Sequence, residues 1–447
     1  MPIWADIRTL TSERMRFVVF STLWALMASA MLVESDVYRY VTIVLVVFAL
    51  VWRGADVRSA SRDWLALLCY AWSAYAAVRF GFGLMSGQKG ASEWLYIFPV
   101  FFPLVGAALF ATRHYIFPAV TLFVLSGLVC LLLTFDLPTL ISGERATPLF
   151  HHNPIHAGIG AGMLALTSIF WMFYAAETRY FRGWFKWPIL GLGTVTFILS
   201  LIGVLGAQSK GAWLALVAIA VFSSFISLLC YAGRRRLYVL GALLFVMVVA
   251  TTIALPYVNK VAGKTADASI GLTTQAVYAK PPLVAIQSAI ENPETPEAMR
   301  ERLMLWSNAI ELIEAAPWVG WGNLWLREWS KTTYADVGYT LMHNGYLEIM
   351  IRHGIFGIAF LLVFCVVAAQ CIHDARCRGV ISSSLAAYLY SISFFFFCTI
   401  ATNSNNRLAL GESFFIFTAA AVFAIRLASR EAQARNDASR SPPQTAV

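Results

Sequence analysis

Three pieces of sequence decide how this chain is read: RERLMLW (Arg300–Trp306), APWVGWG (Ala316–Gly322) and MHNGYLEIMIRHGIFG (Met342–Gly357). Before them lie apolar runs, short basic loops and the start of one long polar insertion. After them come apolar runs and a basic tail. Met299, Leu303, Trp306, Ile310 and Ile313 recur at steps of four and three, the stripe of a helix with one apolar face. Thr295-Pro296-Glu297 reads as its start, with Thr as N-cap, Pro in the first turn and an acid near the positive end. Pro317 and Gly320 end it. Tyr257–Pro293 reads as loop, with Pro281-Pro282 breaking any helix. In the third piece, Asn344 and Glu348 lie four apart, as do Glu348 and Arg352, so each pair shares a helix face. That helix lies near the surface until Gly354 and Gly357 permit close packing of the next span.

The chain has 447 residues, 59% hydrophobic and 13% charged, with mean hydropathy +0.68. Soluble domains carry about 25% charged residues, so this composition is that of an integral membrane protein. About twelve runs approach the length of a span: 17–33, 38–52, 64–82, 94–111, 115–135, 155–175, 188–205, 212–232, 237–257, 354–372, 380–401 and 411–426. The first ends in no small-residue cleavage site and reads as a retained span. The fold class expected is an all-α membrane protein: spans one to nine over 1–257, an external segment with amphipathic helices over 258–353, spans ten to twelve over 354–426, and a disordered tail over 427–447. The seven Cys fall within spans or on the predicted cytoplasmic side, so neither a disulfide framework nor a Cys-x-x-Cys zinc site is expected.

Orientation follows from Lys and Arg. The N-terminal tail has Arg8, Arg14 and Arg16. Alternate loops carry Arg53, Arg58 and Arg62; Arg113; Arg179, Arg182 and Lys186; Arg234, Arg235 and Arg236; Arg376 and Arg378. The C-terminal tail has Arg430, Arg435 and Arg440. The opposite loops are sparse: Arg39, Lys89, Arg145, Lys210 and Arg407. This places both termini in the cytoplasm. It also explains the net charge of +9 as loop charge, with no nucleic-acid partner.

Taken singly, the polar residues have bland readings. His343 sits at a membrane boundary, where a His is commonly a satisfied interfacial residue. Lys210, in Gln-Ser-Lys-Gly-Ala-Trp, reads as a snorkelling anchor. Arg145 precedes His151-His152-Asn153-Pro154-Ile155-His156. Three His so close suit a metal, but no Asp, Glu or Cys lies within the cluster, and Asn-Pro at the mouth of a span is a turn. Arg407, in Asn405-Asn406-Arg407, reads as a loop between apolar spans.

Together these segments carry a resemblance. Their order and side are similar to those of the bacterial membrane glycosyl-transfer proteins that comprise O-antigen ligases, O-antigen polymerases and related oligosaccharyltransferases. Gln-Ser-Lys-Gly-Ala-Trp resembles that family's Ser-Arg-Gly-Ala element, with Lys210 where the family usually has Arg. Charge is kept there, but bidentate gripping of phosphate is lost. Arg302-x-x-x-Trp306 with Pro317-x-x-Gly320-x-Gly322 resembles its second element. His343-Asn344 with Leu347-Glu348, Gly354 and Gly357 resembles its third. His-His-Asn-Pro looks like its Pro-Asn element with the order reversed.

The resemblance implies an enzyme of the bacterial inner membrane that moves a glycan from undecaprenyl pyrophosphate to a lipid A–core sugar at the periplasmic face. An O-antigen polymerase or related oligosaccharyltransferase is the alternative; a lipid-linked glycan transporter is a further one, disfavoured because no internal repeat shows. A single large external segment favours the ligase over a polymerase. Lys210 and Arg302 would stabilise the leaving pyrophosphate. His343 would take the acceptor's proton. Arg145, Arg300, Asn153, Trp306, Asn344 and Arg407 would contact substrate. No external acidic pair suits a divalent ion, so no metal or other cofactor is expected. Nor is there an obvious carboxylate nucleophile, which favours one direct, inverting displacement.

Overall fold

The computed structural model describes residues 3–87, 91–177, 186–278, 281–338 and 341–440. Arg179, Arg182 and Lys89, part of the charge alternation, lie outside the described residues. Among those described the chain is helical: α1 (Ile3–Met27), α2 (Val37–Trp52), α3 (Gly54–Ser61), α4 (Trp64–Met85), a 3-10 stretch (Ala91–Phe101) running into α5 (Phe102–Ala111), α6 (Ile116–Leu133), α7 (Leu137–Ser142), α8 (Pro154–Glu177), α9 (Lys186–Gly206), α10 (Lys210–Cys230) and α11 (Gly233–Tyr278). The polar segment adds α12 (Pro282–Glu291), α13 (Glu297–Ala315) and α14 (Trp325–Trp329) before α15 (Gly345–Cys377), α16 (Ser383–Ile400) and α17 (Ala409–Arg440). Among the described residues the only pairing of extended chain is an isolated bridge, Val33 with Phe150.

All-helical architecture is the solution a bilayer imposes, because every backbone N–H and C=O must be satisfied within its own segment. Eight of the described helices are long and apolar enough to cross a membrane, and ten if each bent pair counts once. That is fewer than the twelve expected. Of the run at 17–33 only residues 17–27 belong to α1, which ends at Met27, and Glu13, Arg14 and Arg16 lie just before them. The run at 94–111 is a shorter apolar helix, opened by 3-10 turns around Pro99. The bent pairs are α2 with α3, at 104°, and the two halves of α11, at 63°.

Two further expectations are corrected. Residues 258–278 and 282–291 are helix, not loop. Tyr257, Val258, Val261 and Ala262 form a short apolar stripe packed on the large core around α8; this stripe was hidden among Lys, Thr and Ser. Helix α17 also continues through 427–440, where a disordered tail was expected; residues 441–447 of that tail lie outside the described residues. Asp63 anchors it by accepting from Arg426 Nε at 2.8 Å and from Arg430, and Arg113 pairs with Glu431 at 3.0 Å.

One apolar core surrounds α8, and a second surrounds α17 with α1, α2, α4 and α5. A third, smaller core joins α13, α14 and the start of α15 through Leu305, Leu312, Trp325, Trp329, Met342 and Ile351. It fixes the polar segment to the bundle.

The third core works together with a break in α15. Gly354 has φ 59, which interrupts the helix. The freed groups are taken by the Pro317–Trp321 strap: Ile355 N–H donates to Pro317 O at 2.8 Å, Phe356 N–H to Trp318 O at 3.2 Å, and Trp321 N–H to Ile351 O at 2.7 Å. Gly320, with φ 61, meets the α15 backbone where a Cβ would collide with the Arg352 carbonyl carbon. Only glycine combines that φ with that approach. Arg79 of α4 holds the strap from the other side, donating to Val319 O and, at 3.0 Å, to Gly320 O.

Candidate active site

Helix α10 begins at Ser209, whose hydroxyl caps it by accepting from Ala212 N–H. The next side chain, Lys210, is exposed and donates to Thr265 Oγ1 of α11 at 2.7 Å. Gln208 ties the same turn to Gly143 O at 2.9 Å and to Tyr257 Oη at 2.7 Å. Arg145 lies alongside, its Nε donating to Ala207 O at 2.9 Å. Lys210 feels the charges of both Arg302 and Arg145. Three of the cations singled out in the sequence, from three separate segments, therefore share one place at the N-terminus of a helix, where the dipole also favours an anion.

Arg302 is half-buried. Burial and the charge of Arg145 pull its pKa below the ordinary value. Among the described residues no carboxylate pairs with Arg145, Lys210 or Arg302. Clustered like charges repel, so this arrangement is one that a bound anion would relieve.

His343 is set by its neighbours in the chain. Met342 is gripped twice: its O accepts from Trp306 Nε1 at 3.0 Å and its N–H donates to Glu348 Oε1 at 3.0 Å. His343 follows with φ 48, a conformation that costs a non-glycine residue energy and is held by surrounding structure. Asn344 then caps α15, its Oδ1 accepting from Tyr346 N–H at 3.0 Å and Leu347 N–H at 3.3 Å. His343 Nδ1 lies 3.1 Å from Asn403 Oδ1. An amide oxygen only accepts, so Nδ1 carries the proton and Nε2 the lone pair. Burial, with the charge of Arg302, lowers the imidazole's pKa, while the Asn403 bond and Glu348 oppose this. The ring is therefore neutral near pH 7.

Glu348, 1% exposed, joins these parts. Its Oε2 accepts from Arg352 Nη2 and Arg407 Nη1, each at 3.1 Å. Its Oε1 accepts from Ser404 Oγ at 3.1 Å as well as from Met342 N–H. Arg352 is as buried and lies over the Trp325 ring at 4.6 Å. The pair expected at Glu348 and Arg352 is present, while the Asn344 side chain caps the helix and does not reach Glu348. Replacing Glu348 with Gln removes the carboxylate that both guanidiniums share. Breaking a buried pair costs about 3–5 kcal/mol, so a marked drop in the thermal midpoint of the purified protein in detergent is expected. An unchanged midpoint would show that the network is not structural.

The remaining predicted residues are placed as follows. Arg407 belongs to the Glu348 network and Trp306 supports Met342. Arg300 Nη2 reaches the Asn292, Pro293 and Thr295 carbonyls at 3.2 Å, closing the turn before α13. Asn153 Oδ1 accepts from Ile155 N–H at 2.8 Å at the start of α8. His152 pairs with Glu34 at 3.1 Å and His151 Nε2 lies 3.2 Å from Met31 O. No group of three or more His, Cys, Asp or Glu with metal-site geometry occurs among the described residues. Sequence reading missed Asn403 and Ser404. The signal was the polar run Thr402–Arg407 between two apolar spans, from which only Arg407 was taken.

Residues 195–362 match the family model described as O-Antigen ligase. Over that stretch, which spans less than half of the chain, the protein is similar to the O-antigen ligase family. No curated protein matches it. The family comprises glycosyl-transferring ligases and polymerases. The matched stretch runs from α9 past the Gly354 break and includes Lys210, Arg302, His343, Glu348 and the strap. Arg145, Asn403 and Arg407 lie outside it and complete the same site from flanking sequence.

Proposed function

We propose that this protein transfers a glycan from undecaprenyl pyrophosphate to a lipid A–core sugar, as an O-antigen ligase. The observation that carries the reading is the cluster of Arg145, Lys210 and Arg302, which no described carboxylate pairs with, beside a neutral His343. In one displacement the acceptor oxygen bonds to the anomeric carbon as the bond from that carbon to the pyrophosphate oxygen breaks. The hydroxyl proton passes to His343 Nε2, and the electron pair leaves on the prenyl pyrophosphate. Charge that grows on the departing oxygen meets cations already in place, which need no reorganisation. The configuration inverts. The same family includes polymerases, and a deletion strain separates the two. Loss of polymer from lipid A–core with accumulation of long lipid-linked polymer marks a ligase. Single repeats left on the core mark a polymerase.

Lys210→Arg restores the family's usual residue and is expected to keep activity in a purified transfer assay. Lys210→Ala is expected to lower it by about 10². Equal rates for Lys210→Ala and wild type would reduce Lys210 to a lipid anchor.

The chain is proposed to sit in the cytoplasmic membrane with both termini inside and the His343 end facing the periplasm, as the Lys and Arg alternation indicates. A reporter fused near Thr332 is expected to be periplasmic and one after Arg376 cytoplasmic. Both on one side would overturn this orientation.

A further inference from the structure

A cavity of about 300 Å³ lies among α15, α16, α17 and the chain entering α5. Its body is apolar. Along α15 its wall runs from Gly357 to Ile372, a helical rise of about 22 Å. It is thus a long slot, and it reaches exposed surface at Ala369. Helix α10 contributes Phe222, which stacks on Phe394 of α16 at 4.0 Å. Phe222 is twelve residues beyond Lys210 on the same helix, roughly 18 Å away. One helix therefore carries an anion-site cation at its end and part of the slot's wall along its length.

The other end of the slot is polar. Tyr96 and Asn406 line it, and the Tyr96 hydroxyl and Asn406 Oδ1 are both buried without a hydrogen-bond partner among the described residues. Buried polar atoms without partners are rare, and each calls for an explanation such as an absent bound group. The charged groups there are already engaged: Arg407 with Glu348, and Glu412 with Arg39 at 3.0 Å. Asn406 lies three residues from Asn403, the partner of His343. Gly211, next to Lys210, packs against Thr402. The polar end of the slot thus borders the candidate active site.

We infer that the slot holds the single hydrocarbon chain of the prenyl-linked donor, with polar atoms of its headgroup region beside Tyr96 and Asn406. This rests on the donor assigned under the proposed function. One narrow slot with one polar end suits a lipid of one chain better than a phospholipid of two. A chain entering from the bilayer leaves surroundings just as apolar, so the slot gains little from the hydrophobic effect. What it supplies is alignment, bringing the pyrophosphate to Lys210 and Arg302.

The test uses the purified full chain and a polyprenyl pyrophosphate bearing a diazirine on its third isoprene unit. On illumination, labels are expected on α15 near Phe364 and Cys365 or on α16 near Phe394. Unlabelled prenyl pyrophosphate should displace the probe; phosphatidylglycerol should not. Ser393→Phe, which fills the slot, is expected to lower this labelling about tenfold and to raise KM for a long-chain donor while sparing a ten-carbon one. Labels confined to other helices would overturn the inference. So would a diazirine phospholipid that labels the slot and resists displacement by prenyl pyrophosphate, since the slot would then be a phospholipid seat. Should Ser393→Phe fail to fold, wild-type labelling still decides. Labelling needs no turnover: correct labels without glycan transfer would count against the proposed function alone, and transfer with labels elsewhere against the slot alone.

Discussion

His343→Ala and His343→Gln are each expected to lower glycan transfer by about 10²–10⁴, the usual contribution of a positioned general base. Binding of the prenyl-linked donor should survive, because the cations remain. The wild-type rate should rise with pH as the imidazole loses its proton. Burial and Arg302 lower that ionisation, so the rise should fall below the ordinary value of about 6.5. The residual rate of either variant should lack it. Asn403→Ala removes a bond that favours the charged ring and is expected to shift the rise further down. Near-wild-type transfer by His343→Gln would leave His343 as a hydrogen-bonding residue and move the search for a base to His156, Glu144 or Asp336, or to a displacement with no base.

Arg302→Ala is expected to lower turnover by about 10²–10³, the loss typical when one preplaced group facing transition-state charge is removed. Folding should be little affected, because the guanidinium makes no hydrogen bond or ion pair with described residues. One further sign is fixed by geometry. Arg302 is among the groups that depress His343, so the pH rise in Arg302→Ala should move upward from that of wild type. A rate loss with no such movement would mean that Arg302 acts at a distance from the base. Unchanged turnover would remove it from the anion site.

The membrane class was legible because charge density and apolar run length report on it directly. So was the helix bearing Arg302, since its stripe repeats over several turns. The Glu348–Arg352 pair follows from spacing alone. The convergence of Arg145, Lys210 and Arg302 did not follow from spacing, for each sits on a different segment. Their order matched a family pattern, and the fold then brought them together. Asn403 escaped because nothing in an Asn-Ser-Asn-Asn run says which amide faces a His some sixty positions earlier. The extension of α11 escaped because the Tyr257–Ala262 stripe is short and lies next to Lys and Thr.

The strap across Gly354 bears on how such proteins can be recombined. A helix fractured inside a bilayer would leave amides and carbonyls facing hydrocarbon, at several kcal/mol for each orphan. Here Pro317–Trp321 splints the fracture from outside, main chain to main chain. The splint and the fracture are therefore one inheritable unit, although some thirty residues separate them in sequence. A chimera that exchanges the polar segment without residues 351–356 would set a foreign splint against a native break. One that carries both across keeps break and splint matched, provided that Trp325 and Trp329 still fill their core and Asn308 still holds the Tyr334 backbone.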